Sequence, residues 1–262
     1  MIFSLIGLKS MGQKYIKNIN QISIAQIKML SSLTESSYLN LQEKPSCQHY
    51  WVNDYKYAVS YPDVEAVIIA TGPKERFEIA KFALENKRHA ILEKPLVFTL
   101  EEALELRAIA QRNNLNVIVN FIHLFNPKYK QLKENYFPEN EQVNILIENF
   151  GPGPICDYSP FWNYGSHSLA IALDLIKPGI ISADISKFEL VNDKNQALYY
   201  INLNYSFKKV FIQCGNLGAI KQNRVLINYR DKLLNWTDNF NEQPLKLLLE
   251  EFITKTNNKE KC

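Results

Sequence analysis

Apolar and polar positions follow two different patterns along this chain. In the first half, short apolar runs at residues 2–6, 22–30, 64–70, 90–92 and 117–121 alternate with amphipathic stretches. Runs of this length bounded by glycine, proline or asparagine read as buried strands. Between them, residues 12–19, 76–86 and 99–110 have helical character. Phe77, Ala80, Phe82, Ala83 and Leu84 fall at helical spacing, and Thr99 is an N-cap with Glu101 and Glu102 in the first turn, where the helix dipole favours acids. Strands alternating with helices predict parallel βαβ units in a doubly wound sheet.

After Pro127 the pattern changes. Residues 143–150, 187–192, 197–207, 210–217 and 219–229 read as strands in close succession, with turns at Asp193-Lys194 and Lys208-Lys209. Long strands joined by tight turns predict an antiparallel sheet. One helix interrupts it at 166–176, stopped by Lys177-Pro178-Gly179, and a last helix at 245–254 leads into a polar tail. The predicted fold class is α/β: a doubly wound parallel sheet over residues 1–124, then an α+β domain with an open, mostly antiparallel sheet over 125–262.

Composition narrows the function. A chain of 262 residues with 46% hydrophobic content has material for one large or two modest cores. The net charge of +3 comes from scattered basic residues, without the basic, aromatic-interleaved stripe that nucleic acid requires. Cys47, Cys156, Cys214 and Cys262 are far apart and include no CxxC, which argues against structural zinc and a disulfide framework and suits a reducing compartment. Residues 1–6 lack a basic leader and run into a glycine turn, so they read as a strand and not a signal peptide. No segment approaches the roughly 20 apolar residues of a membrane span. A cytoplasmic protein is expected.

Glu93-Lys94-Pro95 closes the apolar run at 89–92, and core packing does not call for these residues there. Proline removes a donor and fixes φ, so the chain turns away and leaves Lys94 at the carboxyl edge of the sheet, where open α/β proteins bind ligands. The first βα turn, Gly7 to Gly12, matches the dinucleotide fingerprint G-x-G-x-x-G at its first and third glycines, with Lys9 in the middle. A lysine there either blocks the pyrophosphate or turns outward and lends it positive charge. The candidate NAD or NADP contacts are Gly7, Lys9, Ser10, Met11, Gly12, Ser31, Thr71, Gly72, Glu93, Lys94 and Asn120. Ser31 and Ser32 stand where an acidic ribose ligand is expected, which tilts the choice towards NADP. Trp162-Asn-Tyr-Gly-Ser-His167 precedes the helix of the second half. A histidine at a helix start is commonly structural; beside a reactive lysine it becomes a candidate for acid/base work.

These motifs resemble those of the Gfo/Idh/MocA oxidoreductases, from residue 2 to about 252 and most closely over 63–106. Asn126-Pro127 is similar to that family's entry into its second domain, and residues 162–175 to its D-x-G-x-H helix. The resemblance implies a Rossmann domain carrying NAD or NADP and a second domain for substrate binding and oligomerisation. It also implies hydride transfer at a ring carbon of a sugar, cyclitol or nucleotide sugar, in a dimer or tetramer. Lys94 matches the lysine that exchanges the hydroxyl proton, and His167 the second acid/base residue. His123, Trp162, Asn163 and Tyr164 are expected to contact the sugar, with Tyr164 a rival proton donor. The chain departs from the family pattern at Lys9, at Gly72, at Arg76 where histidine is common, at Leu124, at Asn163 where aspartate is usual, and at Ala170, with Asp174 one turn on. Lys9 and the missing ribose carboxylate support an alternative, a non-catalytic sugar- or protein-binding relative.

Overall fold

The computed structural model describes residues 1–135, 141–153, 158–176, 182–190, 193–238 and 242–262. The chain divides into two compact units, Met1–Asn120 with Leu245–Cys262, and Phe121–Pro244.

In the first unit, β1 (Ile2–Ile6), α1 (Ser10–Ile19), β2 (Gln26–Ser31), α2 (Glu35–Leu39), β3 (Tyr50–Val52), α3 (Tyr55–Ser60), β4 (Ala66–Ile69), α4 (Pro73–Glu85), β5 (His89–Leu92), α5 (Leu100–Arg112) and β6 (Val117–Val119) follow in turn. The sheet order is β3-β2-β1-β4-β5-β6 and every pairing is parallel. Strand order reverses between β1 and β4, so the loops after those strands diverge and open a cleft at their carboxyl ends. Continuous apolar strands such as Ala66–Ile69 are buried throughout, as a sheet covered on both faces requires. Thr99 caps α5 by accepting from the Glu102 amide at 3.2 Å.

Four elements here depart from the sequence expectation. β3 has only three residues, too few to show a period, and α2 buries none of its five. The six-residue α3 was not predicted either. The second strand begins at Gln26 and not at 22, because Ile22 and Ala25 amides donate to the Ile19 and Ile22 carbonyls in a turn that follows α1.

The second unit begins with a 3-10 turn (Ile122–Phe125) and α6 (Pro127–Glu134), followed by β7 (Val143–Phe150). A π-helical turn (Phe161–Gly165) then leads directly into α7 (Ser166–Ile176). Five strands complete it: β8 (Ser182–Leu190), β9 (Asp193–Tyr205), β10 (Lys208–Gly215), β11 (Gln222–Tyr229) and β12 (Lys232–Thr237). The order is β12-β11-β7-β10-β9-β8, antiparallel except for the parallel β7/β10 pair. One face buries Ile145, Ile147, Ile201, Ile212, Val225 and Ile227 in a core shared with Ile171, Leu175 and Tyr129 from the helices. On the other face Phe188, Phe211 and Leu233 are exposed beside Asn202 and Asn228.

The β9–β10 turn lies at Ser206-Phe207 and not at Lys208-Lys209, with Ser206 in the left-handed region at φ 43°. The turn expected at Asp193-Lys194 is strand, since β9 starts there; its connection to β8 and the helix stop at Lys177-Pro178-Gly179 lie outside the described residues. β12 was not foreseen from sequence.

The last helix, α8 (Pro244–Asn257), clusters with the first unit, whereas the sequence reading assigned it to the second. Its face of Leu248, Leu249, Phe252 and Ile253 is fully buried, and the Phe252 ring lies 6.4 Å from that of Phe3 on β1. Beyond it, Asn116 Nδ2 donates to the Glu260 carbonyl at 2.7 Å. Helical spacing predicts an apolar face but not which sheet will cover it. Among the described residues no helix is long and apolar enough to cross a membrane.

Candidate functional site

The first βα turn is tightly fixed. Gly7 has φ +95°, a conformation that side chains resist, and a Cβ there would lie 2.7 Å from the Ala70 carbonyl carbon and oxygen. Its amide donates to the Ser31 carbonyl at 2.9 Å, tying the end of β1 to the end of β2. A Cβ on Gly12 would meet the Gly7 carbonyl oxygen at 2.1 Å, so α1 packs directly against the turn. Lys9 is the N-cap of α1 at φ −73° and ψ −161°, and its side chain is exposed and does not fill the turn. Ser10 is exposed and Met11 half-buried. The first turn of α1 carries no acidic side chain, so its amides and dipole are suited to an anion.

At the end of β2, Ser31 is buried and its carbonyl accepts from the Gly7 amide. Ser32 Oγ donates to the Thr34 carbonyl and accepts from Trp51 Nε1, both at 2.9 Å.

Glu93, Asn120 and Tyr15 form a buried cluster. Tyr15 Oη donates to Glu93 Oε1 at 2.8 Å, and Asn120 Nδ2 donates to the same oxygen at 2.7 Å and to Tyr15 Oη at 3.0 Å. Burial first, and then the Glu93 carboxylate, push the Tyr15 hydroxyl well above its ordinary pKa, so it remains a donor. Glu93 therefore faces inward and, through Oε1, anchors α1 and the end of β6. Lys94, the next residue, is half-buried and precedes a cis proline. Arg76 on α4 is 2% exposed and donates to the Thr71 and Pro95 carbonyls, so one guanidinium ties together the turns after β4 and β5. Sequence reading noted Arg76 only as a departure; a long cation two turns from a strand end was the available signal. Gly72 caps α4.

Two observations show that these residues fit a dinucleotide. At Gly7 and Gly12 the turn admits no Cβ, so the backbone passes tightly into the start of α1, whose amides suit a pyrophosphate. Asn120 Oδ1 is a buried acceptor with no protein donor, which a bound amide or hydroxyl would satisfy.

In the second unit, His167 is half-buried at the start of α7. Its ring lies 4.7 Å from that of His123 at 65°, and 6.2 Å from Phe121 at 77°. His123 is 4% exposed, its Nδ1 3.0 Å from Asp238 Oδ2 and its Nε2 3.3 Å from Asn223 Nδ2. His123 is thus buried between an amide at Nε2 and a carboxylate at ion-pair distance from Nδ1. Trp162, Asn163 and Tyr164 are half-buried in the π-helical turn. The Tyr164 carbonyl accepts from Asn149 Nδ2 at 3.0 Å and from Ser168 Oγ at 3.3 Å, and its ring lies across Gly153. Asp174 accepts from Tyr129 Oη at 2.8 Å and pairs with Lys133 at 2.5 Å, which marks it as structural.

A parallel six-stranded sheet with a glycine-cradled helix start, followed by a mixed open sheet, defines a two-unit dinucleotide-binding protein. Residues 2–121 match the model of the Gfo/Idh/MocA oxidoreductase family, with its NAD-binding Rossmann fold. It is 27% identical over 133 residues to the uncharacterized oxidoreductase YrbE of Bacillus subtilis, a match covering 51% of this chain and 39% of that one. This match spans less than two-thirds of the relative's length. The fold resembles that of myo-inositol 2-dehydrogenase from Lactobacillus plantarum, with a TM-score of 0.87, 12% identity, and coverage of 100% of this chain and 91% of that one. It also resembles UDP-N-acetylglucosamine 3-dehydrogenase GnnA from Acidithiobacillus ferrooxidans, with a TM-score of 0.81, 16% identity, and coverage of 98% and 89%.

Proposed function

We propose that the chain transfers a hydride to or from a ring carbon of a sugar or nucleotide sugar, using NAD or NADP. The observation that carries this reading is the placement of Lys94. It stands at the carboxyl end of β5 between an inward-anchored Glu93 and a Pro95 whose carbonyl is held by Arg76. Those contacts hold the residues on either side of Lys94, and proton transfer demands a group held within hydrogen-bond reach of its target.

A bound nicotinamide supplies the hydride acceptor or donor. Lys94 takes the hydroxyl proton in oxidation and returns it in reduction, and His167 is the second proton-handling group. Trp162, Asn163 and Tyr164 offer half-buried stacking and hydrogen-bonding groups to the sugar. The names of the two structural neighbours, a cyclitol and a nucleotide-sugar dehydrogenase, support this substrate class. The lack of a carboxylate directly after β2, at Ser32 to Thr34, favours NADP. The exposed face of the second sheet, with Phe188, Phe211 and Leu233, is the surface through which we expect a homo-oligomer to form. The free thiols of Cys47, Cys214 and Cys262 suit a cytoplasmic protein.

The test is a fluorescence or calorimetric titration with NADH and NADPH, followed by a screen of cyclitols and nucleotide sugars. We expect micromolar binding, tighter for NADPH, and turnover that Lys94→Met abolishes without loss of folding. Absence of binding at millimolar dinucleotide would overturn the reading and leave a sugar- or protein-binding relative.

A further inference from the structure

We propose that Asp238 and His123 form a buried couple that sets the ring of His167, so that proton transfer in the second unit depends on a carboxylate at the end of the edge strand. This rests on the role given to His167 above and adds two positioning residues to it.

The chain of contacts is continuous. Asp238 follows β12, and its amide donates to the Asn223 carbonyl at 3.0 Å, which fixes the backbone. Its Oδ2 lies 3.0 Å from His123 Nδ1, with the two side chains 2% and 5% exposed. On the far side of the imidazole, Asn223 Nδ2 is 3.3 Å from Nε2. An amide nitrogen only donates, so Nε2 accepts and Nδ1 carries the proton, facing the carboxylate at ion-pair distance without an aligned hydrogen bond. The Asn223 contact selects that tautomer.

That ring is held on its sides as well. Trp236 of β12 packs against it edge-to-face at 5.7 Å and is itself held by Tyr129 at 5.6 Å. The remaining neighbour is His167 at 4.7 Å. With Phe121 also against it, His167 has a fixed imidazole on one side and a phenyl ring on another. Asn163 is a neutral amide, so the turn before His167 brings no carboxylate at that position; Asp238 reaches the same ring through His123. Acid/base efficiency depends on holding the ring close to its working geometry, and the couple provides that hold.

The test combines a long-range proton–nitrogen spectrum of the histidine rings with steady-state kinetics, on the full chain and on Asp238→Asn. The wild type should show His123 as a single Nδ1–H tautomer. Asp238→Asn should mix the tautomers, move the His167 ring signals and lower kcat about tenfold, part of the roughly 10²–10⁴-fold that a general acid or base contributes. KM should stay within about twofold, and Asp238→Glu should restore part of kcat. His167 signals and kcat that do not change in Asp238→Asn would overturn the proposal, as would a wild-type His123 protonated on Nε2 alone. If Asp238→Asn fails to fold, Asn223→Ala, which removes the other ring partner, carries the same readouts. A wild-type chain that turns over no sugar would sink the hydride-transfer reading, while the ring spectrum would still decide the couple.

Discussion

In the first unit the candidate residues gather at strand ends: Gly7 follows β1, Ser31 closes β2, Thr71 follows β4, Glu93 follows β5 and Asn120 follows β6. In the second, the candidate ring of His167 takes its setting from His123 and then from Asn223, 100 positions further along the chain. A parallel sheet brings its loops together by topology, so local motifs suffice to mark the site. The second unit brings side chains together through strand register, which no local motif records.

The sharpest way to break this contrast is to attack backbone in the first unit. Gly12→Val would put a side chain where even a Cβ falls 2.1 Å from the Gly7 carbonyl oxygen. Dinucleotide affinity should fall at least about 100-fold, about 2.7 kcal/mol, in a calorimetric titration. Near-normal binding would mean that the turn is not the pyrophosphate cradle.

A smaller effect is expected from the buried cluster. Glu93→Ala leaves Tyr15 Oη and Asn120 Nδ2 without their shared acceptor and should cost about 3 kcal/mol in urea unfolding. Glu93→Gln keeps an acceptor and should cost about 1 kcal/mol. Equal costs would show that the carboxylate is not the organising group.

The smallest effect separates the units by pH. Burial lowers the pKa of His89 at the start of β5, where its Nδ1 accepts from the Asn116 amide at 2.9 Å. The folded state therefore disfavours the proton that the unfolded state takes up near pH 6.5. Stability of the first unit should be complete above that value and decline as pH falls through it. The urea midpoint of wild type should drop between pH 7.5 and 5.5, and that of His89→Asn should drop less.

The same contrast explains what could be read from the sequence. The alternation of strands and helices, the Gly7–Gly12 turn and Glu93-Lys94-Pro95 are all local, and β7 and α7 match their predicted limits. The buried partners of Glu93, Tyr15 and Asn120, are not legible in sequence, because they come from distant elements. β12 was missed because Lys232–Thr237 carries polar residues at both ends and has only its pairing with β11 to hold it as a strand. With β12 went Trp236 and Asp238, and so the setting of His123. The destination of α8 was lost for a related reason: an apolar face names no partner.

The placement of α8 has a consequence for how the protein is made. The first unit is interrupted in sequence by the whole of the second, and the Phe252 ring that covers Phe3 leaves the ribosome only after every strand of the inserted unit. A nascent chain can thus pair β1 to β6 early but must keep the Phe3 side of that sheet open, in need of shielding, while the second unit is synthesised and folds. Translation order thus makes β1, made before every other strand of its sheet, one of the last of them to be sealed.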